Sequence, residues 1–213
     1  MFDVSNLWLF VGSVVLLSVT PGPDMAYVVG QSLANGRLAG VISAAGVALG
    51  SLTHALASAI GLTALIAASP LLFSIVKYAG AAYLIYLGAR MLVSTLGRRA
   101  ETLDAPRVAR GATSRQLLAK GYITTLTNPK VILFFVSFFP QFIVLGGDRQ
   151  MESFVLLGLI YALLGFCIDA TLALLAGGAA TAVSRSALAQ RLLDRVVGTA
   201  FIGLGVRLAF TQR

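Results

Sequence analysis

Apolar residues come in long uninterrupted runs along this chain, and polar residues collect between the runs. A membrane-crossing helix needs about 20 apolar residues to span a hydrocarbon core of about 30 Å. Six runs qualify: Leu7–Val29, Leu38–Ala68, Leu71–Leu96, Gly121–Leu145, Phe154–Val183 and, shortest, Val196–Phe210. The second is long enough to tilt or bend. The alternation of apolar and polar positions that marks a membrane barrel strand is absent. Stretches such as Val11–Val19 and Val131–Phe139 are apolar all round at helix length. The pattern predicts an all-α integral membrane protein.

Composition agrees. Of 213 residues, 58% are apolar and only 11% charged, with a mean hydropathy of +0.89. A soluble domain carries about 25% charged and 45–50% apolar residues, so a water-soluble globule is excluded. Disorder needs low hydrophobicity. A disulfide framework needs more than one cysteine, and Cys167 stands alone. The net charge of +8 raises nucleic acid as a partner, but the charges sit in clusters between uncharged runs. The expected partner is the lipid bilayer, with no nucleic acid. The N-terminus does not read as a cleavable signal: Asp3 is its only early charge, and no small-residue cleavage site follows the first run.

Lys and Arg in short loops set orientation. Arg37, Arg98, Arg99, Arg107, Arg110, Arg115, Lys120, Arg185, Arg191 and Arg195 fall on one side; Arg149 and Arg213 fall on the other. The richer side is read as cytoplasmic, which puts both termini outside a bacterial inner (plasma) membrane. The loop over 97–119 is the one long connection, so the chain divides into residues 1–97, a basic cytoplasmic loop over 98–119, and residues 120–213.

The two halves resemble each other. Thr20-Pro21-Gly22-Pro23-Asp24 has a counterpart in Thr127-Asn128-Pro129-Lys130. Gly50 and His54 are spaced like Gly165 and Asp169. Lys77-Tyr78-Ala79-Gly80 and Leu87-Gly88-Ala89-Arg90 match Arg195-Val196-Val197-Gly198 and Leu204-Gly205-Val206-Arg207. Each half holds three crossings, an odd number, so the second must lie inverted with respect to the first. The expected fold is six transmembrane helices as two inverted three-helix repeats, a recurring build of secondary transporters.

Pro21 and Pro23 remove backbone donors within an apolar helix, with Gly22 between them, and Asn128-Pro129 does the same in the second half. Irregular backbone at membrane depth is tolerated only where protein or a water-filled cavity satisfies it. Breaks at matching places in two halves point to a transport site. A charge follows each, Asp24 and Lys130, and the expectation is an ion pair that opens when substrate binds. Asp169 is the deepest charge, among Phe166, Cys167, Ile168 and Ala170. That setting suits a group that takes up and releases a proton. His54, at the matching repeat position, is its candidate relay partner, or else a hydrogen-bonded structural residue. Gly36-x3-Gly40 and Gly46-x3-Gly50 have the small-residue spacing of close helix packing. They argue for a tight bundle first and a homodimer second. Trp8 reads as an interfacial anchor. No phosphate loop, nucleophile–base pair or Cys/His cluster is present, so direct ATP drive, enzymatic activity, a metal and a cofactor are not expected.

The chain resembles the LysE/RhtB family of bacterial amino-acid exporters. The resemblance rests on Thr20-Pro21-Gly22-Pro23-Asp24, on Gly80-Ala81-Ala82-Tyr83-Leu84 with Leu87-Gly88, and on Leu126-Thr127-Asn128-Pro129-Lys130 with Phe134-Phe135 and Pro140-Gln141-Phe142. It implies proton-driven export of amino acids or related metabolites from the cytoplasm. The resemblance does not select the substrate; with one of the two membrane carboxylates committed to Lys130, the residues slightly favour neutral substrates of the homoserine, threonine or leucine type over basic ones such as lysine or arginine. An uncoupled channel is the alternative mechanism.

Overall fold

A computed structural model describes residues 2–95, 111–144, 147–176 and 187–210. Every regular element among them is helical. The first apolar run is broken as its prolines require. Helix α1 (Leu7–Val19) stops where Thr20 turns extended, and α2 (Pro23–Asn35) restarts at 53° to it. Pro23 sits in the first turn of α2, where a missing N–H is no loss. The second and third runs form α3 (Arg37–Ala68) and α4 (Pro70–Ser94). Ser69 joins them, and its hydroxyl caps α4 by accepting from the Leu72 N–H.

The fourth run carries the second break. Helix α5 (Ser114–Leu126) ends at Thr127, and α6 (Pro129–Leu133) continues at 52° to it. The chain then passes into a π-helical turn at Phe134–Phe138 and a 3-10 turn at Phe139–Phe142. Helices α7 (Gln150–Leu175) and α8 (Ala187–Phe210) complete the bundle. Each run thus corresponds to one helix or one bent pair. Two helices begin before their apolar runs. Helix α5 starts at Ser114, inside the stretch assigned to the loop, because Thr113 and Gln116 form a reciprocal capping box there. Helix α8 starts at Ala187 on a polar lead-in containing Arg191, Asp194 and Arg195. Arg98, Arg99, Arg107, Arg110, Arg185, Arg213 and the last part of the fifth run lie outside the described residues.

Among the described residues, α3 and α7 are long and apolar enough to cross a membrane, and each bent pair adds one more crossing, giving up to four. Helices α4 and α8 have the length, 25 and 24 residues, but their charges (Lys77 and Arg90; Arg191, Asp194, Arg195 and Arg207) dilute the apolar character. Large apolar side chains face outward along the bundle: Leu38, Ile60, Leu71, Leu163 and Trp8 are all more than half exposed. That surface is unsustainable in water and natural in lipid.

Helix α3 packs along α7 and α5, with α2 beside it, and α4 packs along α8. Glycines set these distances. A Cβ at Gly46 would run into the Leu118 carbonyl, and one at Gly121 into that of Ser43. At Gly88 it would meet the Gly198 carbonyl, and at Gly205 that of Ala81. Gly40 is closed off by Ser32 and Ala173, and Gly50 by Thr125 and Tyr122. Gly40, Gly46 and Gly50 thus pack within the chain, while Gly36 has open space beside it. The core is rich in aromatic rings: Phe10, Phe134, Phe135, Phe138, Phe139, Phe142, Phe154 and Tyr161 belong to one cluster with aliphatic side chains such as Val14, Leu17 and Leu157, with centroids of neighbouring rings about 5–6 Å apart.

The N-terminal segment ties one end of the bundle together. Ser5 N–H donates to the Phe142 carbonyl and Val144 N–H to that of Asp3, both at 2.8 Å, around a bridge between Val4 and Ile143. The Asp3 carboxylate accepts from the Arg149 N–H at 2.7 Å. At the other end, the Asn35 side chain accepts from the Gly111 N–H.

Candidate functional site

The two helix breaks face each other. At the first, the Leu17 carbonyl lacks its helical donor because Pro21 has no N–H, and Thr20, where the chain turns extended, carries its carbonyl out of the helix. The Lys130 ammonium fills that gap. It crosses from α6 to donate to both carbonyls, each at 3.0 Å. A cation at a helix C-terminus is also favoured by the helix dipole. Gly22 makes the room: a Cβ there would lie 3.1 Å from Nζ.

At the second break, Asn128 performs two tasks with one carboxamide. Its Oδ1 caps α6 by accepting from the Lys130 N–H at 3.1 Å. Its Nδ2 donates to Oδ2 of Asp24 at 2.9 Å. Asp24 lies in the first turn of α2, where a carboxylate is stabilised by the helix dipole. The expected contact between Asp24 and Lys130 is therefore made differently. The carboxylate takes its hydrogen bond from Asn128, the ammonium gives its own to backbone carbonyls, and the two charges interact at longer range.

Asp169 is 6% exposed and reaches the same region from α7. It interacts electrostatically with Asp24 and Lys130. The site thus gathers Asp24, Lys130 and Asp169 from three separate helices. His54 is close by, but not as a partner of Asp169. Its Nε2 lies 3.2 Å from the carbonyl of Thr125 and its ring stacks on Phe135. A carbonyl only accepts, so this nitrogen carries a proton. The contact has a local setting: the Thr125 carbonyl accepts from the Asn128 N–H at 3.1 Å where α5 ends, Pro129 has no N–H to add, and His54 supplies a second donor. One turn earlier, Gly50 leaves space for the Thr125 side chain. The Gly50–His54 spacing is one turn of α3 shaped around the second break.

Three neighbours were not site candidates in the sequence, although Phe135 is among the residues that carry the family resemblance. Thr125 is fully buried beside Asp24. Tyr161 lies close enough to interact with both Asp24 and Asp169, and packs on Phe135 at 4.7 Å. Phe135 begins the π-helical turn's inner wall, and its carbonyl accepts from Ser58 at 3.2 Å. Residues of this kind are ordinary in apolar helices and give no compositional signal. The π-helical turn does have a general association with functional sites.

The sequence model of the LysE type translocator family matches residues 15–212. The chain belongs to that family. It is a multi-pass membrane translocator and not an enzyme. Relatives named leucine efflux protein cover its full length. That of Salmonella typhimurium is 32% identical over 211 residues, 99% of this chain and 98% of the relative. That of Klebsiella pneumoniae is 33% identical over 211 residues with the same coverage. That of Enterobacter sp. strain 638 is 31% identical over 208 residues, covering 98% and 97%. No solved structure matches this chain.

Proposed function

We propose that this translocator exports neutral amino acids of the leucine type from the bacterial cytoplasm, in exchange for protons. The observation that carries the reading is the convergence of two buried carboxylates and one half-buried ammonium at two opposed helix breaks. A zwitterion needs one cationic and one anionic contact, and broken helices add unpaired backbone groups to both. Lys130 is the contact for the substrate carboxylate. Asp24 faces the substrate ammonium. Asp169, buried and near Lys130 but in no direct ion pair among the described residues, carries the exchanged proton. Neutral substrates are favoured over lysine or arginine by the names of the relatives. The balance of charge agrees: with one carboxylate facing the α-ammonium and the other committed to protons, none is left for a cationic side chain.

Alternating access follows from two inverted three-helix repeats. The reading is supported by the way the packing pairs like with like. In the repeat alignment Gly88 corresponds to Gly205, and Gly80 to Gly198. Gly88 packs on Gly198 while Gly205 packs on Ala81, the neighbour of Gly80. A two-fold axis produces such reciprocal contacts. In this reading the loop over 97–119 is cytoplasmic, both termini are outside, and the substrate enters between the repeats.

The test is counterflow in proteoliposomes with labelled amino acids of each charge class under an imposed pH gradient. Leucine-type substrates should be driven by the gradient. Asp169→Asn should abolish that drive while leaving gradient-independent exchange intact. Transport indifferent to the gradient in the unaltered protein would establish the uncoupled alternative.

A further inference from the structure

The exporter reading leaves open how the substrate ammonium is held, and two atoms answer it. Asp24 is 8% exposed and its Oδ2 is taken by Asn128. Its other oxygen, Oδ1, is buried with no hydrogen-bond partner among the described residues. Oγ1 of Thr125, fully buried and close enough to the Asp24 carboxylate to interact with it, likewise closes no hydrogen bond of good geometry among the described residues. Leaving a buried polar atom unpaired is costly, and two adjacent instances at a helix break call for a shared partner. An anion cannot be that partner next to a carboxylate. A group with several donors and a positive charge can: a primary ammonium gives one N–H to Oδ1 and another to Oγ1.

The surroundings hold both acceptors in place. Asn128 fixes the carboxylate from the far side. Gly50 seats the threonine side chain, and His54 holds the carbonyl of the same residue. The Lys130 ammonium does not compete, since the Leu17 and Thr20 carbonyls engage it. We infer that Thr125 Oγ1 and Asp24 Oδ1 together form the subsite for the α-ammonium of the substrate, making Thr125 a specificity-determining residue for α-amino acids. The inference rests on the exporter reading and separates the roles of the two carboxylates: Asp24 binds, and Asp169 is left to the proton.

The experiment is leucine counterflow in proteoliposomes with Thr125→Val, which keeps the shape, and Thr125→Ser, which keeps the hydroxyl. A hydrogen bond to a charged group is lost in the first and kept in the second, so Thr125→Val should raise KM about tenfold with Vmax within about twofold of the unaltered protein. Thr125→Ser should restore KM. An unchanged KM, a loss confined to Vmax, or a KM that serine does not restore overturns the subsite. Counterflow of no amino acid by the unaltered protein would instead overturn the exporter reading, and the subsite with it.

Discussion

Asn128 and Lys130 are the residues on which the two breaks depend, and substitution separates their roles. Asn128→Ala loses the α6 cap, worth about 1 kcal/mol, and strips the donor from a buried carboxylate oxygen, a further ~1–3 kcal/mol. Asn128→Asp keeps the cap but sets two buried carboxylates side by side. We expect it to melt lower than the alanine variant and to transport nothing, as read by detergent melting curves and counterflow. Lys130→Met preserves bulk and removes the donor to the Leu17 and Thr20 carbonyls. It should lose transport together with ~1–3 kcal/mol of stability, because helix-end carbonyls at that depth have no water to turn to. The sequence predicted that these charges share a site, since a charge in an apolar run must face something. It did not reveal that Lys130 reaches carbonyls and Asn128 reaches Asp24. Which donor meets which acceptor depends on the angle between helices, and only tertiary structure sets that.

At the scale of helices, proline and glycine were the readable signals, and both worked through the backbone. The breaks after Val19 and Leu126 follow from absent N–H groups. The close approach of α3 to α5 follows from absent Cβ atoms at Gly46 and Gly121. Gly46→Ala should cost ~1–3 kcal/mol, because its methyl meets the Leu118 backbone, which cannot swing aside as a side chain can. Gly12→Ala has open space and should be neutral or stabilising by up to about 1 kcal/mol. A melting comparison of the two variants checks the contrast. Hydropathy was a poor guide to helix starts. Ser114 opens a helix on a polar, capped turn and Ala187 opens one on good helix formers, because helix formation there depends on local propensity and not on burial. The Phe134–Tyr161 aromatic core was equally hidden, since an apolar run does not say which of its rings face lipid and which face one another. His54 tests the backbone argument directly. If it replaces the donor that Pro129 lacks, at a carbonyl otherwise held only by the Asn128 N–H, His54→Ala should cost less stability in a Pro129→Ala background than alone. A double-mutant cycle of melting temperatures would expose that coupling.

For the whole molecule, the decisive property is that one end of the bundle is closed by contacts that must part if the repeats rock. Val4 and Ile143 face each other as an antiparallel bridge, flanked by the hydrogen bonds Ser5 to Phe142 and Val144 to Asp3. Flanking bonds of this kind mark the closely spaced pair of an antiparallel ladder, about 4.5 Å between Cα atoms, which a disulfide can span. The bridge joins the segment before α1 to the turn after Phe142, so it ties the first broken helix to the second at that end of the bundle. Cysteines at both positions, in a Cys167→Ser background that removes the exposed native thiol, should form a bond under mild oxidation. Alternating access then predicts that oxidised protein binds substrate but does not complete counterflow, and that reduction restores it. A channel-like protein with a fixed pore would transport equally in both states. The readout therefore distinguishes rocking of the two halves from permeation through a static bundle, whatever the substrate proves to be.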